Sequence, residues 1–123
     1  MEPDRKRLTR EYKEGKRPIG VFRVRNTVNG KCFVGSSKDL SAILNRHRFT
    51  LEHGSHANRA LQRDWNEFGA EAFVFEVVDT LTPDEAPDYD PAADLRVFEA
   101  LWLEKLSPYD DRGYNVRPPD ARA

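Results

Sequence analysis

Apolar and polar positions divide the chain into short elements of two periods. Gly20-Val21-Phe22-Arg23-Val24-Arg25-Asn26 alternates after Val21, as a half-buried strand does. Asn29-Gly30 is a strong hairpin signal, because both residues tolerate positive φ. Lys31-Cys32-Phe33-Val34-Gly35 reads as the returning strand. Ser36 and Ser37 offer hydroxyls to cap a following helix, with Asp39 supporting its positive end. Leu40, Ile43, Leu44, His47 and Leu51 then recur at helical spacing up to Gly54. A second helix carries Leu61, Trp65 and Phe68 and stops at Gly69. Phe73 to Val78 alternates again, as a third strand. Pro83, Pro87 and Pro91 break an acidic loop. Leu95, Phe98, Leu101, Trp102 and Leu106 define a last helix, closed by Pro108. The order predicts an α+β fold, a small antiparallel sheet of three strands flanked by helices.

Ahead of this, residues 1–17 form a charged leader in which Leu8 and Tyr12, four apart, suit a short helix packed on the domain. The 123 residues fit one domain. With 33% charged residues and no apolar run of membrane-spanning length, a soluble, cytoplasmic protein without membrane contact is expected. A single cysteine, Cys32, excludes an internal disulfide and reads as an inert strand residue.

Net charge is −1, yet its distribution is polarised. Residues 1–64 hold 15 Lys and Arg against 7 Asp and Glu, a balance of +8. Residues 65–123 hold 5 against 14, a balance of −9. Either the halves neutralise each other across an interface, or the first half presents a basic face to an anion such as DNA.

The motifs narrow this. Gly20-Val21-Phe22 and Phe33-Val34-Gly35 are paired triplets, followed by Ser36-Ser37-Lys38-Asp39-Leu40, Arg46-His47, Gly54-Ser55-His56, Leu61-Gln62-Arg63, Trp102 and Gly113-Tyr114-Asn115. In this order and at these separations the set resembles the GIY-YIG nuclease family, and within it the catalytic module of phage intron homing endonucleases. The likeness divides the chain into an extension (1–17), a GIY-YIG nuclease-like domain (18–115) and a tail (116–123). It implies phosphodiester hydrolysis assisted by a divalent cation, Mg²⁺ or Mn²⁺. Such chemistry needs activated water, a proton for the leaving oxygen, and positive charge at phosphorus.

Carried over position by position, the resemblance implies a metal-binding role for Glu99, proton transfer at His47, and site roles for His56 and Asn115. Both motif tyrosines are replaced, by Phe22 and Phe33, and the helix arginine is replaced by Ile43. Phenylalanine keeps the ring but has no O–H, and isoleucine has no charge. Each remaining residue also has a plainer reading. Glu99 suits a solvated helix carboxylate, His47 a satisfied helix histidine, His56 a helix cap, and Asn115 a backbone brace. Lys31, Lys38, Arg46, Arg48, Arg59 and Arg63 are candidate phosphate contacts or a solvated surface. Three functions follow as alternatives. One is a DNA-binding nuclease fold with weakened or lost cleavage. The second is an active nuclease with substituted groups. The third is a protein-interaction domain using the acidic segment 84–94. A protein partner supplying target recognition is a further expectation.

Overall fold

The computed structural model describes residues 18–82 and 88–116. The leader helix suggested by Leu8 and Tyr12, the loop prolines Pro83 and Pro87, and the tail beyond Val116 lie outside those residues. The predicted hairpin forms from β1 (Ile19–Asn26) and β2 (Cys32–Ser37), paired antiparallel. Its turn is wider than a two-residue turn at Asn29-Gly30. The Asn26 carbonyl accepts from Gly30 N–H, and Asn26 N–H donates to the Lys31 carbonyl, both at 2.8 Å. Gly30 takes a positive φ of 80°, whereas Asn29 does not. The loop is drawn outward because Thr27 donates both its N–H and its hydroxyl to the Ala72 carbonyl at 2.8 Å.

Helix α1 (Leu40–Glu52) follows. Asp39, not Ser36 or Ser37, is its N-cap, its carboxylate accepting from Ala42 N–H. The Ser37 hydroxyl braces Asp39 itself, accepting from its N–H at 3.0 Å, while Ser36 turns to a different partner. Helix α2 (Arg59–Phe68) is capped by the Asn58 side chain and stops at Gly69, whose φ of 89° suits glycine. Phe68 belongs to the predicted buried stripe but is exposed, because Trp65 already fills the space against Phe73 and Phe75.

The third strand, β3 (Phe73–Leu81), runs beyond the expected Val78 because it pairs along the whole of β1. Val21 faces Asp79 and Phe22 faces Val77, so Val78 is an extra, bulged residue. The backbones approach so closely here that a Cβ on Gly20 would lie 2.1 Å from the Asp79 carbonyl oxygen. Helix α3 (Ala92–Leu106) closes the fold. Its inner stripe is Leu95, Phe98, Trp102, Leu103 and Leu106. Leu101 falls off that stripe and is exposed, a second departure from the sequence expectation.

The sheet order is β2-β1-β3, antiparallel throughout. One face packs Val24 and Phe73 on Leu51 of α1 and Leu61 and Trp65 of α2. The other packs Val21, Cys32 and Val34 on α3. Each buried Leu or Val contributes about 1.5–3 kcal/mol. The outer edge of β2 is closed by residues 113–115. Tyr114 N–H donates to the Cys32 carbonyl, and the Asn115 amide brackets Val34, donating to its carbonyl and accepting from its N–H, both at 2.8 Å. Gly113 fits where a Cβ would strike the Pro108 carbonyl at 2.2 Å.

Candidate functional site

Strand alternation puts Phe22, Phe33 and Gly35 on the sheet face that receives α1. The Phe22 ring lies over Gly35, where a Cβ would come within 2.7 Å of its Cζ. His47 enters from α1 and its ring centroid lies 5.2 Å from that of Phe22 and 5.4 Å from that of Phe33. His56, on the loop before α2, lies 5.8 Å from Phe33 and stacks on His47 at 5.0 Å. Four of the predicted site residues therefore form one cluster of rings. Ile43 stands one turn before His47 on α1 and is half-buried.

The two histidines share a hydrogen bond, His47 Nδ1 to His56 Nε2 at 2.8 Å. The other ring nitrogen of His56, Nδ1, accepts from Asn58 N–H at 2.9 Å. Gln62 fixes the loop, its Oε1 accepting from His56 N–H while its Nε2 donates to the Leu51 carbonyl and to Asn66. Burial, the neighbouring His56 and the Arg46 charge push the His47 pKa down to about 4. Burial lowers His56 as well. Both rings are therefore neutral near pH 7. His53 turns away, its Nδ1 donating to the Phe49 carbonyl, so the three histidines do not gather.

Glu99 approaches from α3 and accepts a short hydrogen bond from the Ser36 hydroxyl. Ser36 pairs with Val21 and shares its α3-side face, whereas Gly35, its neighbour, lies under Phe22. The carboxylate and the ring cluster thus meet β2 at adjacent residues from opposite sides. Glu99 and Ser36 supply two hard oxygens. That donor set suits a magnesium-like ion, which keeps most of its water and takes one or two carboxylates. Among the described residues, no three His, Cys, Asp or Glu side chains form a preassembled metal cage.

The basic candidates separate. Arg46, Arg48, Arg59 and Arg63 are exposed on α1 and α2. Arg48 lies over the Phe75 ring at 4.2 Å, and Lys31 lies 5.9 Å above Tyr114. Lys38 pairs with Asp90 at 3.5 Å. Arg23 and Arg25 both donate to Glu76 at 2.9 Å, so part of the early positive charge is neutralised within the sheet. Arg59 and Arg63 flank an open groove of about 640 Å³ backed by Ser55, His56 and Gln62.

Sequence reasoning missed a buried polar chain. Fully buried Asn26 donates to the Tyr114 hydroxyl (3.0 Å), which donates to buried Asp64 (2.7 Å). The Asn58 amide ties in the Tyr114 carbonyl at 2.7 Å. Asn58 alone carried a readable signal, a capping residue directly before an apolar stripe. Asn26, Asp64 and Ser36 did not, since their partners lie 50 or more residues away.

No family model matches the sequence. Intron-associated endonuclease 1 of Enterobacteria phage T4 is 42% identical over 98 residues. These are 79% of this chain but 36% of that protein, so the chain spans about a third of its relative's length. The solved catalytic domain of homing endonuclease I-TevI superposes with a TM-score of 0.66 at 28% identity, covering 81% of this chain and 99% of that domain. A mutant of the same catalytic domain gives a TM-score of 0.66 at 27% identity. With the three-stranded sheet and its helices in place, the chain has the fold of the I-TevI catalytic domain, a GIY-YIG nuclease, and resembles it in sequence.

Proposed function

We propose that this domain binds duplex DNA through the basic surface of α1 and α2, and that its metal-dependent phosphodiester cleavage is weakened or lost. The observation that carries this reading is the packing of Phe22 and Phe33 against His47. At the two positions where the resemblance places tyrosines, the rings offer no O–H to water or phosphate. Loss of acid–base assistance lowers rates by about 10²–10⁴. Loss of a charge-stabilising group, as at Ile43, lowers them by roughly 10²–10³. These factors do not multiply freely, because members of one catalytic unit act together. The exposed arginines retain what binding needs, namely cations spaced along a groove.

A second reading, an active nuclease with substituted groups, is favoured by one feature. Glu99 is held by Ser36 in a donor set that fits Mg²⁺ or Mn²⁺. Such an ion, held by these two residues, would lower the pKa of bound water and offset phosphate charge. The deciding experiment is nicking of supercoiled plasmid with Mg²⁺ or Mn²⁺, run with Glu99→Gln and with Phe22→Tyr/Phe33→Tyr/Ile43→Arg. The proposal expects slow or absent nicking by the wild type and a gain in the triple variant. Wild-type nicking as fast as that of the triple variant, and lost in Glu99→Gln, would establish the second reading. A duplex titration at low salt tests binding separately.

A further inference from the structure

His47 is not free to choose where its proton sits. His56 Nδ1 accepts from Asn58 N–H, and an amide N–H can only donate, so this nitrogen carries a lone pair. A neutral His56 must then hold its proton on Nε2. That nitrogen lies 2.8 Å from His47 Nδ1, which must in turn be the acceptor. The His47 proton is left on Nε2. The chain of donors runs one way, from the Asn58 amide through two rings, and reversing either ring would set two N–H groups or two lone pairs against each other. Gln62 holds the His56 backbone, and Asn58 is fixed both as the α2 cap and by Tyr114, so the turn that starts the chain is rigid. His47 Nε2 has no protein partner among the described residues and is not sealed from solvent.

We propose that His56 is a positioning residue that fixes His47 as the Nε2–H tautomer, so that His47 offers an incoming phosphate oxygen a hydrogen-bond donor and no basic lone pair. This rests on the reading that the site receives a phosphodiester. It assigns His47 a role different from the proton transfer its family position suggests. A base at Nε2 would need a proton on Nδ1 and an acceptor beside it. Here His56 Nε2–H occupies that place. Protonating either ring would bring two donors together in this arrangement, and burial separately lowers the proton affinity of both.

The test is the ¹⁵N spectrum of the histidine side chains at neutral pH, in which long-range couplings distinguish the tautomers. The wild type should show His47 and His56 both protonated on Nε2. A proton on His47 Nδ1 overturns the proposal. His56→Gln keeps an amide donor toward His47 and should preserve the tautomer. His56→Phe keeps a ring of similar shape without a donor and should release His47 into a mixture. A pure Nε2–H signal in folded His56→Phe would remove His56 as the cause. Should that variant not fold, the wild-type spectrum still decides. Adding a short DNA duplex separates the two claims. A bound duplex should move the His47 Nε2 resonance, and a bound duplex that leaves it unmoved refutes the donor role. A duplex that fails to bind refutes the DNA reading, while the tautomer assignment stands on the spectrum without DNA.

Discussion

Two tyrosine hydroxyls among the described residues donate to a carboxylate at 2.7 Å, one bond buried and the other exposed. Tyr114 donates to Asp64 inside the fold, and Tyr89 donates to Asp94 in an exposed pair. Replacing each tyrosine by phenylalanine therefore measures what burial adds to one bond. In Tyr114→Phe the fully buried Asn26 loses the acceptor for its amide, and Asp64 keeps only Asn29 at 3.3 Å and a distant Arg63 at 3.9 Å. One neutral bond is worth about 1 kcal/mol and one to a carboxylate about 1.5–3 kcal/mol, so roughly 3 kcal/mol should be lost. Tyr89→Phe, which removes a solvent-exposed bond, should lose well under about 1 kcal/mol. Urea unfolding at neutral pH reads both. Penalties equal to within about 0.5 kcal/mol would refute the claim that burial gives the Tyr114 bond its strength.

A pH signature accompanies the same change. Burial pushes the Tyr114 hydroxyl up to about 12; the Asn26 bond opposes this, and Asp64 reinforces it. A raised pKa gives stability that is complete below the unfolded value, near about 10. That stability is lost as pH climbs through 12, and in Tyr114→Phe this part of the profile should flatten.

Other outcomes follow from the geometry. Phe22→Tyr, Phe33→Tyr and Ile43→Arg together should raise metal-dependent nicking. The buried Phe22 ring already packs on Gly35, and the arginine must leave a half-buried position, so the folded fraction should be checked by circular dichroism. Asn115→Ala removes both bonds to Val34 and should lower stability by about 2 kcal/mol in denaturant titration. Arg59→Ala with Arg63→Ala should flatten the salt dependence of duplex binding by up to about 0.9 for each phosphate no longer neutralised, read by fluorescence anisotropy. The lowered His47 pKa gives stability that is present above about pH 6.5 and lost as pH falls through 4, and His47→Gln should remove that acid-side slope.

What could be read in advance was local. Alternation, the glycine stops and the apolar stripes gave the element order, and the expected sheet forms, its hairpin turning over the wider segment 27–31 that contains Asn29-Gly30. The signals failed where two local options compete. Ser36, Ser37 and Asp39 can each cap a helix, and the choice fell to Asp39 because Ser36 was drawn to Glu99 across the fold. Leu101 and Phe68 look like core residues by type, but only the angular position of their neighbours decides which side of a helix is inside. The site was legible as a set of positions. The facing of its nitrogen atoms was not, because it depends on Asn58 N–H, a backbone group that no side-chain pattern announces.

The closure of β2 by Asn115 has a consequence for synthesis. The bond joins residues 81 positions apart, and β1 likewise waits for β3, some 50 positions on, before it has two neighbours. A nascent chain that has emerged only through α2 holds a two-stranded hairpin with both outer edges open, the form most able to pair with another chain. Entropy opposes such distant closures until the last partner arrives. Folding of this domain therefore completes only when Gly113-Tyr114-Asn115 clears the ribosome. A stop codon placed before Tyr114 should leave nearly all the secondary structure encoded and the product prone to aggregate.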